Sequence, residues 1–211
     1  MPKNLESRQI QTKVELRQND EGEEKVIEGY ALKFDKPSDV LAGFFREKID
    51  PHALDHADMS NVVATFNHDQ NQVLGRSGVN LELEVDNIGL KFRVKPTDTQ
   101  LARDLMANIG AGIINQCSFA FTIARQKDAE EWSESDEDGV EYNRLIRAID
   151  HLYDVSVVTT PAYPDTEATV GARSKELVES LRKDKEKWRD EKRQMLLDVE
   201  KQELLKGVDT K

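Results

Sequence analysis

Three kinds of side chain in this sequence could together break a covalent bond: an imidazole, a hydroxyl and a carboxylate. His68 ends an apolar run in TFNHDQNQVLGR, Ser118 lies within NQCSFAF, and Asp154 lies within LYDVSVV. An imidazole exchanges protons near physiological pH, a serine hydroxyl becomes a nucleophile when a base takes its proton, and a carboxylate can orient the base. The hypothesis is a triad of a base, a nucleophile and an orienting group, although each residue taken alone more often has a structural role.

Cys117 is a competing nucleophile, because a thiolate needs less activation than a hydroxyl. Side chains alternate along a strand, so Ser118 shares a face with Ala120 and Thr122, whereas Cys117 shares the other face with two phenylalanines. The large apolar groups anchor their face in the core. The pattern therefore predicts a buried Cys117 and a Ser118 that lies on a face of small residues.

The group that orients the imidazole has three candidates in RAIDHLYDVSVV. Asp154 lies among apolar residues, where a carboxylate without a partner is unfavourable, so it needs a partner or an exposed face. Asp150 lies at a strand junction and is the weaker carboxylate candidate. His151 is the third.

A metal site has little support. His52 and His56 are four residues apart, which could place both on one face of a helix, but the sequence offers them no further cysteine or obvious partner. There is neither a P-loop nor a GxGxxG motif, so nucleotide binding has no support. We expect no metal and no cofactor.

Composition excludes several classes of protein. The net charge of −11 argues against a nucleic-acid partner, which needs clustered lysine and arginine. One cysteine allows no internal disulfide and suits a reducing compartment. The N-terminal stretch has no apolar signal core, and no run of about 18 apolar residues occurs. We expect a soluble protein that is not exported and does not bind membranes.

The elements that would position these groups are mostly strands. Alternating or apolar runs predict strands at 10–17, 25–34, 61–68, 114–124, 142–149 and 152–163, and a hairpin at 79–94. A turn is expected at 19–24, and a short strand followed by a helical turn at 44–57. Residues 98–112 predict a helix, with Thr97 or Thr99 as its N-cap and Gly110 and Gly112 at its end.

Three later segments complete the organisation. The acidic stretch 127–141 predicts a solvated hairpin tip or loop, and Pro161 and Pro164 end the β region. Residues 171–211 predict a charged, mostly solvated helix. The predicted fold is therefore α+β and β-rich. We expect a closed or partly closed, mostly antiparallel barrel at 1–170 with one or two flanking helices, followed by the helical tail.

In order and spacing, these segments resemble the prohead maturation proteases of tailed bacteriophages. Those are serine peptidases that share a fold with the herpesvirus capsid-assembly protease. The resemblance covers about residues 10–170 and rests on FREKIDPHAL, FNHDQNQVLGR with DNIGLKF after it, NQCSFAF, and LYDVSVVTTPAYPDT. It implies that His68 is the base, Ser118 the nucleophile and Asp154 the acidic third residue. The related viral enzyme uses a second histidine there, so His151 stays an alternative.

The resemblance also implies the substrates and setting. These are scaffold protein, or the N-terminal segment of the major capsid protein, cut inside an assembling procapsid in the host cytoplasm, with self-cleavage. Oxyanion donors are expected in segment 110–116, with Arg144 or Arg147 assisting through water. The tail would guide the enzyme into the shell by pairing with scaffold, and could later be cut away. The viral relatives are activated by dimerisation, so a homodimer is an open alternative.

Two other functions remain open at this point. One is a capsid assembly or scaffold protein that has the same fold and no catalytic activity. The other is a small β-barrel binding module with a helical dimerisation arm. The joint presence of His68, Ser118 and a buried-looking Asp154 argues against the first.

Overall fold

The computed structural model describes residues 4–10, 14–18, 25–159 and 172–208. The chain forms two compact units, residues 1–170 and 171–211. In the described part of the first unit there are twelve strands and one helix, α1. Their bounds are β1 Glu6–Ile10, β2 Glu15–Gln18, β3 Lys25–Lys33, β4 Phe45–Ile49, β5 Val63–Phe66, β6 Asp69–Arg76, β7 Leu81–Val85, β8 Gly89–Val94, α1 Gln100–Gly110, β9 Gln116–Ile123, β10 Glu130–Glu134, β11 Tyr142–Ile146 and β12 Ile149–Val158.

The strands form three sheets. The first has the order β1-β9-β12-β5-β6, the second β10-β11-β4 and the third β2-β3-β8-β7. Neighbouring strands are antiparallel except for β12 with β5 and β11 with β4, which are parallel. In the first sheet β12 lies between β9 and β5. Three segments that are distant in the sequence therefore lie next to each other.

One hydrophobic core is shared by the three sheets and α1. Phe119 and Phe121 of β9 are fully buried in it, with ring centroids 5.1 Å apart. The third sheet contributes Leu90 and Phe92 from β8, and α1 contributes Leu105. The alternation of apolar residues along the strands accounts for this burial, because every second side chain points into the core.

The β-rich α+β class is confirmed, while closure of the sheets into a barrel stays a prediction. Strands β3, β5 and β9 and the hairpin of β7 and β8 lie where the sequence predicts them, whereas the polar stretch after His68, where a loop is predicted, forms β6. The single strand predicted at 10–17 is wrong. β1 pairs with β9, whereas β2 pairs with β3 in another sheet, because the chain changes sheets between them. The turn at 19–24, Pro161 and Pro164 lie outside the described residues.

The acidic stretch 127–141, predicted as a solvated hairpin tip or loop, is part of a hairpin. It contains β10, which forms an antiparallel hairpin with β11. Glu130 is buried although its neighbours Glu131 and Glu134 are exposed. The solvated hairpin tip is therefore the alternative that the structure supports, and a loop without strands is wrong. Glu130 is buried because of an ion pair described below.

Helix α1 has the ends that its sequence predicts. Thr99 is the N-cap, and its hydroxyl accepts a hydrogen bond from the amide of Ala102. Gly112 follows the helix with φ +73°, a conformation that glycine adopts without strain. By contrast, the helical turn predicted after β4 is a series of turns at 51–56.

The second unit contains α2, Ala172–Val208. Its described side chains from 179 to 198 are largely exposed, including Trp188 and Met195. Salt bridges four residues apart, such as Lys183 with Glu179 at 3.3 Å, support the helix on its surface. Among the described residues, no helix is both long and apolar enough to cross a membrane.

Candidate active site

The three residues of the hypothesis come from adjacent segments of the first sheet. Ser118 lies near the start of β9, Asp154 lies in β12, and His68 lies in the turn between β5 and β6. Because β9 pairs with β12, Ser118 is directly opposite Ser156, and Ala120 is opposite Asp154. The sheet therefore brings together side chains that are 36 to 86 positions apart in the sequence.

A strained two-residue turn presents His68. Asn67 and His68 have φ values of +54° and +56°, as a type I′ hairpin turn requires. Left-handed backbone is unfavourable for residues other than glycine by about 1–2 kcal/mol. Hydrogen bonds hold it here: the amides of Asn67 and His68 donate to the Val157 carbonyl at 2.9 Å and to Ser156 Oγ at 2.8 Å. Asn67 Oδ1 also accepts from the amide of Thr159 at 3.0 Å.

The three side chains form one continuous line of hydrogen bonds. His68 Nε2 lies 2.6 Å from Ser118 Oγ, and His68 Nδ1 lies 2.8 Å from Asp154 Oδ1. Ser118 is fully buried and Asp154 is 6% exposed, while the His68 side chain is 27% exposed. A carboxylate that bonds Nδ1 leaves Nε2 as the nitrogen that faces the hydroxyl, the orientation a general base needs.

The other candidates for the third position lie elsewhere. Asp150 has a 53% exposed side chain. His151 is 43% exposed, and its Nε2 lies 2.8 Å from Asp58 Oδ2. Of the three, only Asp154 contacts His68 in the described structure.

Cys117 lies in the core, as alternation along β9 predicts. It is fully buried, and its thiol donates to the carbonyl oxygen of Tyr30 in the neighbouring sheet at 3.1 Å. Ser118 points to the other face. Strand geometry thus separates the two nucleophile candidates.

Sequence reasoning did not single out Ser156. Its hydroxyl is 1% exposed, accepts from the His68 amide, and lies 2.5 Å from Thr65 Oγ1. The signal was present in DVSVV, because alternation places Ser156 on the same face of β12 as Asp154. A buried serine two positions from a buried aspartate marks a polar face within an apolar strand.

Most backbone amides of segment 110–116, where oxyanion donors are expected, cap the C-terminal end of α1. The amides of residues 111–114 each donate to a carbonyl of α1, including Ile113 to Asn108 at 2.9 Å. Arg147 is half exposed and bonds Glu131 at 2.5 Å. That ion pair raises the pKa of Arg147. In this conformation neither these amides nor the Arg147 guanidinium is directed at Ser118.

Arg144 belongs to a buried ionic cluster rather than to the His68 site. We define the ionic cluster as five side chains, each at most 7% exposed: Glu6, Arg8, Glu47, Glu130 and Arg144. Arg144 contacts Glu6, Glu47 and Glu130 at 2.6 to 2.9 Å. Burial alone would lower the pKa of Arg144, but the facing carboxylates raise it above its ordinary value. This network explains why Glu130 is buried.

The histidines considered for a metal are exposed. His52 Nδ1 bonds Asp55 Oδ2 at 3.0 Å, and His56 is exposed in the same series of turns. The helix face that was to align them does not form. In the described part of the chain, no group of three or more metal-ligating side chains is present.

A hydroxyl bonded to an imidazole whose other nitrogen bonds a buried carboxylate can perform nucleophilic acyl transfer. The imidazole takes the hydroxyl proton while the oxygen attacks a carbonyl carbon. The carboxylate then stabilises the imidazolium that results. Nothing in this arrangement requires a further chemical group for proton transfer.

Comparison with known proteins identifies the family of this chain. The sequence pattern of one family, described as the caudovirus prohead serine protease, matches residues 12–181. Among solved structures, the bacteriophage T4 capsid assembly protease, gp21, is similar with a TM-score of 0.43 and 14% identity, over 74% of this chain and 99% of that chain. No curated protein sequence is significantly similar. Because the family match spans most of the sequence, the chain belongs to the caudovirus prohead serine protease family.

Proposed function

We propose that this protein is a serine endopeptidase in which Ser118 is the nucleophile, His68 the general base and Asp154 the group that orients His68. The observation that carries the proposal is the unbroken line from Ser118 Oγ through both ring nitrogens to Asp154 Oδ1. Three segments of the chain converge to make it. A structural role for these side chains would not require both distances at once.

In the proposed mechanism, His68 Nε2 accepts the proton of Ser118 as its oxygen attacks a peptide carbonyl. The tetrahedral intermediate collapses when His68 returns that proton to the departing amine. Water then hydrolyses the acyl-enzyme by the same route, again with His68 as the base. Asp154 accepts a hydrogen bond from His68 Nδ1–H throughout, stays ionised, and stabilises the imidazolium.

The burial of Asp154 is what makes its charge effective. A carboxylate whose side chain is 8% exposed is poorly hydrated, so its attraction for a nearby positive charge is stronger than in water. The imidazolium that forms during the reaction meets this charge at 2.8 Å. Ser156 complements Asp154, because its hydroxyl holds the His68 backbone amide while Asp154 holds the ring.

The proposed substrates follow from the family. We infer that the enzyme cuts scaffold protein, or the N-terminal segment of the major capsid protein, within an assembling procapsid in the host cytoplasm. Self-cleavage belongs to the same proposal. The 171–211 unit would guide the enzyme into the shell by helix pairing with scaffold.

The direct test is the mass spectrum of the purified chain after storage. Wild type should yield truncated products, and Ser118→Ala should remain full-length because the nucleophile is absent. Ser133→Ala, an exposed serine of β10, is the matched control and should truncate like wild type. Equal persistence of all three chains would favour the inactive assembly protein instead.

Deleting residues 172–211 tests the role of the tail. The shortened enzyme should still hydrolyse a peptide in solution, because the three site residues lie in the other unit. It should fail to enter procapsids. Entry at the wild-type level would contradict the proposed role of the tail without affecting the assignment of the site.

A further inference from the structure

Ser118 is closed off in this structure. The residue is fully buried, and besides His68 its hydroxyl contacts the backbone carbonyl of Arg8 at 2.9 Å. A nucleophile must meet a carbonyl carbon of the substrate, and a buried hydroxyl cannot do so. Some part of the chain therefore has to move before any peptide is cut.

The contact with Arg8 also competes with His68 for one proton. A serine hydroxyl has a single hydrogen, and two acceptors lie within reach, the Arg8 carbonyl at 2.9 Å and His68 Nε2 at 2.6 Å. If the hydroxyl donates to Arg8, it does not donate to the base. The docked carbonyl therefore opposes the hydrogen bond that activates Ser118.

The segment that makes this contact is itself an extended peptide. β1 runs antiparallel to β9 and forms one edge of the first sheet, with Gln9 opposite Ser118 and Arg8 opposite Phe119. Peptide ligands commonly bind by adding a strand to the edge of a sheet. β1 thus has the position and direction that such a ligand would have, with a peptide carbonyl against the nucleophile.

Two side chains of opposite charge attach β1 to the rest of the unit. These are Glu6 and Arg8, which reach the ionic cluster, where Arg8 bonds Glu47 at 2.8 Å and Glu6 bonds Arg144 at 2.6 Å. When β1 leaves, Glu6 and Arg8 leave together as one negative and one positive charge, so the net charge of the cluster does not change, and Arg144 still contacts Glu47 and Glu130. The family match begins at residue 12, so β1 lies outside the region on which the family assignment rests.

From these observations we infer that the outer edge of β9 is the substrate-binding edge, that β1 occupies it in the resting enzyme, and that β1 must detach before a substrate strand can bind. The inference rests on the proposed function of Ser118. The substrate is an extended polypeptide that pairs antiparallel with β9. Its scissile bond takes the place of the Arg8–Gln9 peptide bond.

A reversible cross-link tests this directly. Ser7 lies opposite Ala120, and opposed residues in antiparallel strands have the Cα spacing that a disulfide needs. The double variant Ser7→Cys/Ala120→Cys locks β1 when oxidised and frees it when reduced. Cys117 is buried on the opposite face and does not interfere. The measured quantity is the rate at which a fluorophosphonate probe labels Ser118 in the full chain.

We expect the oxidised form to be labelled at least about tenfold more slowly than the reduced form, because detachment is then blocked. The reduced form should match the single variants Ser7→Cys and Ala120→Cys. A second variant opens the edge without new cysteines. Arg8→Gln removes one charge from the ionic cluster and should speed labelling severalfold. The control, Arg103→Gln, removes an exposed ion pair on α1 and should change nothing.

The outcomes separate the two proposals. Equal labelling of the oxidised and reduced forms, with wild type reactive, overturns the role of β1 and leaves the nucleophile assignment intact. Labelling of Arg8→Gln alone, with wild type silent, supports the inference strongly. If no variant is labelled, including the reduced double variant, Ser118 is not a reactive nucleophile and both proposals fail.

Discussion

Two histidine–aspartate pairs in this protein have the same nitrogen–oxygen distance and different surroundings. His68 Nδ1 lies 2.8 Å from Asp154, and His151 Nε2 lies 2.8 Å from Asp58. The second nitrogen of His68 meets the Ser118 hydroxyl, whereas that of His151 lies 3.6 Å from a further carboxylate, Asp150. The first pair can pass a proton from a nucleophile, while the second can only hold a positive charge.

Burial separates the pairs as clearly as partners do. Asp154 is 8% exposed at its side chain and Asp58 is 43% exposed. Water screens the outer pair, so its net contribution to stability and to chemistry is small. The distance between an imidazole and a carboxylate therefore does not distinguish the two pairs; the contact of the other ring nitrogen and the desolvation of the carboxylate are what support the proposed active site at His68.

The largest expected effect comes from Asp154→Asn. The amide N–H can donate to Nδ1 and so favours the tautomer in which Nε2 carries the proton, and the negative charge that stabilises the imidazolium is lost; kcat should fall about 10⁴-fold. Asp58→Asn is the matched change in the outer pair and should leave kcat within about twofold. Peptide hydrolysis by each purified variant, corrected for the folded fraction, measures both.

A comparable loss in Asp58→Asn would mean that the outer pair contributes to the chemistry. A small loss in Asp154→Asn would return His151 or Asp150 to the third position. Either result would remove the contrast between the two pairs.

Ser156→Ala should have the next largest effect. The backbones of the two histidines are held differently. That of His151 is part of strand β12, whereas that of His68 is held by the Ser156 hydroxyl of a neighbouring strand at 2.8 Å. Removing this hydroxyl leaves a partly buried amide unsatisfied and loosens the turn that positions the ring, so kcat should fall about tenfold with little change in KM. Ser156→Thr, which keeps a hydroxyl, should recover part of the rate.

Thr65→Val separates positioning from stability. It removes the hydroxyl that lies against Ser156 and leaves the Ser156–His68 bond in place. If Thr65→Val lowers kcat as much as Ser156→Ala at equal loss of stability, Ser156 has only a structural role.

Part of this site could be predicted from the sequence because it depends on local rules. Alternation along β9 separates Ser118 from Cys117, and the same rule places Asp154 and Ser156 on one face. The assignment of roles to His68, Ser118 and Asp154 came from the order of family-like segments. Their contacts with one another are an observation of the structure.

Other features depend on partners that local patterns do not reveal. Glu130 lies in a strongly acidic stretch, and this pattern predicts a solvated side chain. It is buried because Arg144, 14 residues later, neutralises it. Glu6 and Arg8 belong to a short polar strand with no apolar period. The positive φ of His68 likewise depends on β5 and β6 pairing across only two residues.

The turn that presents His68 gives a prediction about stability. In Asn67→Gly the left-handed backbone is unstrained but the bond from the Thr159 amide is lost; in Asn67→Ala both are unfavourable. Asn67→Ala should therefore be less stable than Asn67→Gly by about 1 kcal/mol. Urea unfolding of the two variants measures the difference. Equal stability would show that the turn changes conformation when Asn67 is replaced.

The smallest expected effect is the titration of the outer pair. The hydroxyl of Ser60, then its amide, hold the pKa of Asp58 below the ordinary value of 3.8, and His151 adds less. A carboxyl with a lowered pKa stabilises the fold above its unfolded pKa, and this stabilisation is lost as the pH falls below 3.8. Asp58→Asn should lack that component of the acid sensitivity.

Carboxyl NMR of Asp58 can rank the two causes. Ser60→Ala removes the largest contribution and should raise the pKa of Asp58 more than His151→Ala does, since the imidazole is exposed and screened by water. The reverse order would mean that the histidine dominates the outer pair electrostatically. The outer and inner pairs would then differ only in what the second nitrogen of the ring contacts, and burial of the carboxylate would no longer distinguish them.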